Sequence, residues 1–267
     1  MRSALLLALS LTVGSISPGQ RPPDTVRLEE LTWTELRDLM RAGLTSVIIA
    51  TAGTEQKGPH MVTGQHRFVL EYTTEKIARA VGNTVVAPII TYVPEGEWDP
   101  PSGHMTKAGT ISLPNERFMA LLENTGRSFK GGGFKNIFLL GDSGGNQDGM
   151  RAVVDKLNGE WKDSGVRVHF IGDYYAKSEQ DAAKYLMEKH GFTSAQIGQH
   201  ASVDATSELM FVNAGYVRRD KIAPGTPESG VVGDPSKASA EIGKALVQIK
   251  IDNAVRQMKA SLAEKRP

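Results

Sequence analysis

Four short apolar runs that alternate with longer helix-like segments constrain the fold of this chain more than any other feature. The runs are "SVIIATA" (46–52), "NTVVAPIITYV" (83–93), "NIFLLG" (136–141) and "VRVHFIGD" (166–173). Their lengths and β-branched content are typical of buried strands, and strands that alternate with helices form a parallel sheet covered on both faces. The pattern predicts an α/β fold, in which ligands bind at the carboxyl ends of the strands.

The segments between these runs have apolar residues at helical spacing, and glycine follows several of them. We expect helices in "TVRLEELTWTELRDLMRAG", "HRFVLEYTTEKIARAVG", "PNERFMALLENTGRSFKGGG", "DSGGNQDGMRAVVDKLNGEWKDSG", "SEQDAAKYLMEKHG" and "AEIGKALVQIKIDNAVRQMKASLAEK". The stretch "GQHASVDATSELM" reads as a polar turn and "PGTPESGVVGDPSKAS" as a loop. The stretch "PEGEWDPPSGHMTKAGTISL" is rich in Gly and Pro and long for a connection, which indicates an active-site loop.

The composition limits the class of partner. With 267 residues and 40% hydrophobic content, the chain can form one large domain, which we place at residues 26–262. The 31 basic and 30 acidic residues leave a formal charge of +1, which argues against nucleic-acid binding and favours a small-molecule substrate. Because there is no cysteine, disulfides and thiolate chemistry are excluded, and a metal ion would need His, Asp and Glu ligands.

The N-terminus "MRSALLLALSLTVGSISPGQRPP" has the layout of a secretory signal. One early cation, Arg2, precedes an apolar stretch and then small residues and prolines. The apolar stretch is shorter than the roughly 20 residues that a membrane span needs. We predict a signal peptide of about residues 1–20 and an exported, periplasmic or secreted protein without a membrane span; a frayed N-terminal helix is the alternative.

Two loops behind predicted strands carry reactive side chains. In "GTEQKGPHMVTGQH" (53–66) a carboxylate and two imidazoles follow the first strand, and in "IFLLGDSGGN" (137–146) a glycine-rich turn follows another. The turn suits an anion through its backbone N–H groups, although no complete phosphate-binding motif is present. Ser143 could act as a nucleophile activated by His200 or His104, and the glycines could also serve a tight turn alone.

Read together, "TEQKGPHMVTGQH", "GTISL", "LLGDSGGN" and "QHASVDATSELM", in this order on an alternating α/β pattern, resemble the creatininase (creatinine amidohydrolase) family. The resemblance runs from about Leu31 to Arg219, and the later "GVVGDPSKASAEIG" is similar to the tail of exported members. It implies a three-layer α/β/α sandwich with a mostly parallel sheet, often assembled as a homohexamer. It also implies a two-metal centre, usually zinc or manganese, which activates water to open a cyclic amide or related C–N bond.

The resemblance assigns metal ligands position by position. Glu55 matches the first metal-binding carboxylate, whereas Lys57 replaces a histidine ligand, and a protonated lysine has no lone pair to donate. His66 replaces the bridging aspartate, and Ser143 replaces a histidine with Asp142 beside it. We therefore expect one divalent ion, zinc or manganese, held by Glu55, His66 and Asp142, with a site that holds no metal as the alternative.

The same resemblance assigns catalytic and substrate-binding roles. His200 matches a histidine that assists proton transfer, and Asp204 lies one residue before the position of a family carboxylate. We expect His200 and Asp204 to be catalytic. The predicted substrate-binding residues are His60, His104, Ser143, Gly144 and Gly145.

Three functions remain open from the sequence. The first is metal-dependent hydrolysis of a cyclic amide-type C–N bond in a small molecule. The second is a non-catalytic binding protein of the same fold, in which the Lys57 ammonium takes the place of the cation and neutralises Glu55. The third is a metal-free hydrolase with Ser143 as nucleophile.

Overall fold

The computed structural model describes residues 23–264, so the predicted signal peptide at residues 1–20 lies outside the described residues. The described residues form four strands and eight α-helices, which alternate from α1 to α5 and are followed by three further helices. In chain order they are α1 (Trp33–Arg41), β1 (Ser46–Thr51), α2 (Gln65–Val81), β2 (Thr84–Val86), α3 (Asn115–Gly131), β3 (Asn136–Gly141), α4 (Gln147–Glu160), β4 (Arg167–Phe170), α5 (Ala176–His190), α6 (Ser194–Ile197), α7 (Val203–Asn213) and α8 (Ala240–Ala263). None of the described helices is long and apolar enough to cross a membrane.

The strands form one parallel sheet in the order β2-β1-β3-β4. The two central strands are buried along their whole length and pair in register from Ser46 with Asn136 to Thr51 with Gly141. Continuous apolar strands of this kind need helices on both faces. The carboxyl ends of β1 and β3 therefore lie side by side at one edge of the sheet.

Successive residues of the central strands face opposite layers, as the pleat requires. Val47 and Ile49 pack in one apolar cluster with α3, α4 and α1. Ile48 and Ala50 pack in a second cluster with α2 and α8. The predicted three-layer α/β/α sandwich is confirmed.

Local sequence signals set the helix ends. Thr32 and Glu35 form a reciprocal capping box at the start of α1, which satisfies two backbone N–H groups that the first turn leaves unpaired. Gly82 ends α2 with a φ of 80°, a conformation that residues with a side chain rarely adopt.

Two of the sequence predictions for secondary structure are corrected. The run at 83–93 forms a strand only over Thr84–Val86, because Pro88 lacks an N–H and interrupts the ladder before Ile90 rejoins Ala50 by an N–H···O bond of 3.0 Å. The stretch predicted as a polar turn is helical from Val203 onwards, where it forms most of α7, and small polar side chains of this helix have buried hydrogen-bond partners. Tertiary contacts therefore outweigh the weak helix propensity of Ser, Thr and Asp.

Candidate functional site

A cavity of about 540 Å³ opens at the carboxyl edge of the sheet. The loops after β1 and β3 form one wall, and α5, α7 and α8 form the other. Its polar lining includes Glu55, Lys57, Gln65, His66, Glu95, His104, Asp142, Ser143, Glu179, His200, Asp204, Glu208 and Lys250. The topology therefore brings nearly all of the predicted site residues to one place.

The backbone of the loop after β1 is fixed on both sides of Glu55. The N–H of Glu55 donates to Thr63 O at 3.2 Å, and the N–H of Gln56 donates to Thr110 Oγ1 at 3.1 Å. The Gln56 side chain accepts from Gly58 N at 3.0 Å and donates to Gly230 O at 3.1 Å. The chain on either side of Lys57 is thereby held in one conformation.

The two carboxylate oxygens of Glu55 have different surroundings. Oε1 lies 2.7 Å from Lys57 Nζ and 2.8 Å from His66 Nε2, and both the Glu55 and Lys57 side chains are buried. Oε2 lies 2.9 Å from His104 Nε2, yet this buried atom has no hydrogen bond of good geometry. Burial opposes ionisation, but the Lys57 ammonium and the two imidazoles outweigh it and hold the pKa of Glu55 well below its usual range.

His66 lies between two carboxylates. Its Nδ1 is 3.1 Å from Asp142 Oδ2, while its Nε2 faces Glu55. Asp142 Oδ1 in turn accepts from Lys250 Nζ at 2.7 Å, and the same ammonium donates to Glu208 Oε2 at 2.8 Å. These contacts form a continuous series, which we call the charge chain: Lys57–Glu55–His66–Asp142–Lys250–Glu208.

Burial and charge act in opposite directions on the far end of the charge chain. Burial would raise the pKa of Asp142, but Lys250 and His66 lower it to about 2. For Glu208 burial dominates and its pKa rises to about 7 despite Lys250. The pKa of Lys250 is raised because the attraction of Asp142 and Glu208 outweighs the effect of burial.

The imidazoles of His104 and His200 lie close to the Glu55 carboxylate. The rings of His104 and His200 lie with centroids 4.4 Å apart, and one donor atom each from Glu55, His104 and His200 lie within 4.8 Å of one another. His200 Nε2 lies 2.8 Å from the Gln56 carbonyl oxygen and donates its proton there, so Nδ1 keeps its lone pair. Burial and the Lys57 ammonium lower the pKa of His200 to about 3, so the ring is neutral at physiological pH.

The glycine-rich turn after β3 places Ser143 beside a carboxyl group. Ser143 Oγ donates to Glu95 Oε1 at 3.4 Å. Burial and the nearby Glu55 charge raise the pKa of Glu95 to about 9, so this carboxyl is protonated at neutral pH and is not a base for the hydroxyl. Gly144 and Gly145 line the cavity in a short 3-10 turn that leads into α4, and a side chain on Gly145 would meet the Pro94 carbonyl oxygen at 2.7 Å.

The remaining predicted residues lie in two settings. Asp204 lines the cavity, where burial raises the pKa of its carboxyl. His60 is fully buried beside α7, with Nε2 2.9 Å from Thr206 Oγ1, and it does not line the cavity. Ala201, the residue after His200, has a φ of 52°, which is an uncommon conformation for a residue with a side chain.

Sequence reasoning missed three of the charged residues here. Glu95 lies in the loop whose Gly and Pro content indicates an active-site loop, but no pattern around it indicates a carboxyl group of raised pKa. Glu208 lies in the stretch predicted as a polar turn and Lys250 in a predicted amphipathic helix, and no local pattern singles out either residue. Their burial in the α7–α8 packing, which a local pattern does not show, turns them into site residues.

Comparisons with known proteins give matches in both sequence and structure. The family model Creatininase, which is described as creatinine amidohydrolase, matches residues 29–258 of this chain. The mycofactocin precursor peptide peptidase of Mycobacterium ulcerans is 29% identical over 232 residues, which cover 80% of this chain and 84% of that relative. The 3-dehydro-scyllo-inosose hydrolase of Thermotoga maritima is 27% identical over 124 residues, which cover 46% of this chain and 37% of that relative.

Solved structures share the fold. A structure named "Creatininase Mn" superposes with a TM-score of 0.76 at 19% identity and covers 90% of this chain and 100% of that chain. A creatininase variant complexed with creatine gives a TM-score of 0.75 at 19% identity over 90% of this chain and 100% of that one. A third, a variant of Zn–Zn type, gives 0.73 at 19% identity over 90% of this chain and 99% of that one.

Proposed function

The chain belongs to the creatininase family, and from that premise we propose that it is a metal-dependent hydrolase of an amide-type C–N bond in a small molecule. The observation that carries the proposal is the convergence of Glu55, His104 and His200 within 4.8 Å in the cavity wall. One carboxylate and two imidazoles are a donor set that suits zinc and also manganese. Zinc and manganese both occur in the names of the creatininase structures.

The three groups fit an ion for reasons that do not depend on family. Glu55 Oε2 is a buried carboxylate oxygen without a hydrogen bond of good geometry, and such an atom is costly unless a cation satisfies it. His200 donates from Nε2 to a backbone carbonyl, which is the outer contact that commonly orients a metal-binding histidine. Its low pKa keeps the other nitrogen available at neutral pH.

This ligand assignment differs from the one drawn from the sequence. The earlier set of Glu55, His66 and Asp142 stays a prediction, and the two sets share Glu55. We prefer His104 and His200 because one donor atom of each lies within 4.8 Å of the other and of a Glu55 oxygen, whereas the two nitrogens of His66 face two different carboxylates, at 2.8 and 3.1 Å. His200 then serves as a ligand rather than as the proton carrier.

A bound divalent ion would supply a water of lowered pKa, about 7 for zinc, and would polarise the substrate carbonyl. The chain itself supplies the rest of the chemistry. Asp204 lines the cavity with a raised pKa and is our candidate for moving the proton from water to the leaving nitrogen. Gly144 and Gly145 present first-turn N–H groups that can hydrogen-bond a substrate oxygen.

The test combines metal loading with matched variants. Metal-free protein is reloaded with zinc or manganese and screened against cyclic amides and short peptides. We expect metal-dependent turnover that falls by about 10²-fold or more in Glu55→Gln, while Glu71→Gln, on α2 away from the cavity, retains it. The proposal would be overturned if the wild-type protein retains no divalent metal and the Glu55→Gln variant turns substrate over as fast as wild type.

The second candidate is a non-catalytic binding protein. It is favoured by the buried Lys57–Glu55 pair at 2.7 Å, which neutralises the carboxylate without any metal. Saturable binding of a cyclic amide, measured by calorimetry with no turnover in the presence of zinc or manganese, would support it. The serine-hydrolase reading is less favoured because the partner of Ser143 is a protonated carboxyl; labelling of Ser143 by a fluorophosphonate would restore it.

Two further proposals come from the sequence and the resemblance alone. We propose that residues 1–20 direct export to the periplasm or outside the cell, and N-terminal sequencing of the mature protein is the test. We also propose a homo-oligomer, with a hexamer as the expected form, to be measured by light scattering.

A further inference from the structure

The two oxygens of Glu55 divide the site into an open side and a filled side. On the open side, Oε2 faces His104 and lacks a hydrogen bond of good geometry. On the filled side, Oε1 is in contact with Lys57 Nζ at 2.7 Å and His66 Nε2 at 2.8 Å. A carboxylate that can bridge two cations therefore has one of its two positions taken by groups of the chain itself.

We propose that the Lys57 ammonium is a built-in cation that fills a second cation position at Glu55 Oε1 and limits this centre to a single metal ion. The inference rests on the proposed function for the ion on the Oε2 side. An ammonium is a compact positive charge with three donors and no lone pair, so it can satisfy a carboxylate but cannot bind a metal. Its charge also repels a second dication from the same carboxylate.

The geometry shows that Lys57 is held in this position rather than extended to solvent. Its side chain is only 4% exposed, although lysine is among the residues least often buried. The residues on either side are fixed, because Gln56 bonds to Gly58 N and to Gly230 O. A buried ammonium in a fixed loop needs its carboxylate partner, so the pair is a permanent part of the site.

On the filled side, both nitrogens of His66 and both oxygens of Asp142 already have partners within the charge chain. His66 uses both ring nitrogens, and Asp142 receives His66 on one oxygen and Lys250 on the other. Glu208 shares the Lys250 ammonium. N–H donors and carboxyl groups alternate along the charge chain, so a second ion on the filled side would have to displace one of the N–H donors.

Metal stoichiometry tests the proposal without any assay of activity. The full mature protein is stripped, loaded with excess Zn²⁺ or Mn²⁺, desalted and measured by native mass spectrometry and elemental analysis. We compare wild type, Lys57→His, which brings a lone pair to Glu55 Oε1, and Lys57→Arg, which keeps the positive charge. We expect Lys57→His to hold one equivalent more than wild type and Lys57→Arg to match wild type.

A second measurement covers the case in which Lys57→His does not fold. Lys57→Gln removes the charge at similar length, and zinc competition with a chelator should show binding about tenfold tighter or more than in wild type, because the repulsion is gone. Circular dichroism and gel filtration establish which variants are folded. Two equivalents in wild type, or unchanged stoichiometry in folded Lys57→His, or unchanged zinc affinity in folded Lys57→Gln, would each overturn the inference.

The outcomes also separate this inference from the proposed function. Wild type that holds two ions and is active would remove the built-in cation and leave metal-dependent hydrolysis standing. Wild type that holds none, with one ion gained in Lys57→His, would support the built-in cation and overturn metal-dependent hydrolysis.

Discussion

Lys250 gives the sharpest test of the charge chain, because a single ammonium serves two buried carboxylates. It donates to Asp142 at 2.7 Å and to Glu208 at 2.8 Å, and the side chains of all three residues are largely shielded from solvent. Lys250→Met keeps an unbranched side chain of similar length but removes the charge. The two carboxylates then lie next to each other in a buried site without their shared partner.

The size of the effect follows from these contacts. Removal of one partner of a buried ion pair costs about 3–5 kcal/mol in the free energy of unfolding. The lower part of this range applies, since Asp142 keeps His66 as a partner. Glu208, whose pKa is already raised to about 7, can take up a proton and become neutral. We therefore expect a loss of about 3 kcal/mol near neutral pH, equal to roughly 6–12 °C in melting temperature for a chain of this size.

The loss should depend on pH with a definite sign. In wild type the pKa of Asp142 is lowered to about 2, so its stabilising contribution is present above its unfolded pKa and disappears only as the pH falls towards about 2. In Lys250→Met the pKa of Asp142 rises from about 2 and the pKa of Glu208 rises further above its unfolded value, so the folded variant binds more protons than folded wild type. The variant should therefore lose stability relative to wild type as the pH rises from about 5 to about 8.

Urea unfolding followed by circular dichroism, in chelator and at both pH values, measures the difference. Lys244→Met is the matched control, because Lys244 is exposed on the same helix, and it should change stability by less than about 0.5 kcal/mol. A loss below about 1 kcal/mol for Lys250→Met, or an equal loss at both pH values, would refute the assignment of Lys250 as the shared partner of two ionised carboxylates.

Three further outcomes are expected. Gly243→Ala should destabilise by about 1–3 kcal/mol or more in urea unfolding, since its Cβ would lie 1.8 Å from Ser207 O, whereas Gly159→Ala has open space and should be neutral or stabilising. If Asp204 is the base, activity should fall at acid pH through an ionisation above the usual range for aspartate, and Asp204→Asn should lose this limb of the pH–rate profile. Chelation should leave the protein folded, and zinc at 100 times its Kd should add about 2.7 kcal/mol to the unfolding free energy in chemical denaturation. Unfolding on chelation would contradict the claim that the ammonium groups of the chain stabilise its buried carboxylates without a metal.

The elements that the sequence predicts well are those with a local cause. The central strands are continuous apolar runs, and α1 and α2 carry end signals, a capping box at Thr32 and a terminal glycine at Gly82. Such signals act within a few residues, so reading along the chain is sufficient. The parallel pairing of the strands and the helices on both faces of the sheet then follow from the alternation of strands and helices.

The prediction for α7 is wrong because its cause is not local. Its buried set includes Thr206, Ser207, Glu208 and Leu209, so polar and apolar residues share the buried surface and no amphipathic stripe is visible. Thr206 bonds to His60, Ser207 accepts from Ser239 N, and Glu208 receives Lys250. A helix whose polar residues are satisfied by distant partners cannot be told from a polar turn by its own residues.

The candidate site also depends on partners that are distant in the sequence and that a local pattern does not show. Individual residues such as Glu55 and Asp142 could be picked out because they follow strands, where parallel sheets bind ligands. Their partners could not, because Lys250 is 108 positions away from Asp142 and a lysine in a helix is ordinarily a solvent-facing charge. Paired as they are, the chain's own ammonium groups balance its buried carboxylates. The arrangement of the site residues therefore does not depend on a bound metal, and an ion at Glu55 Oε2 would enter a site whose side chains are already in position.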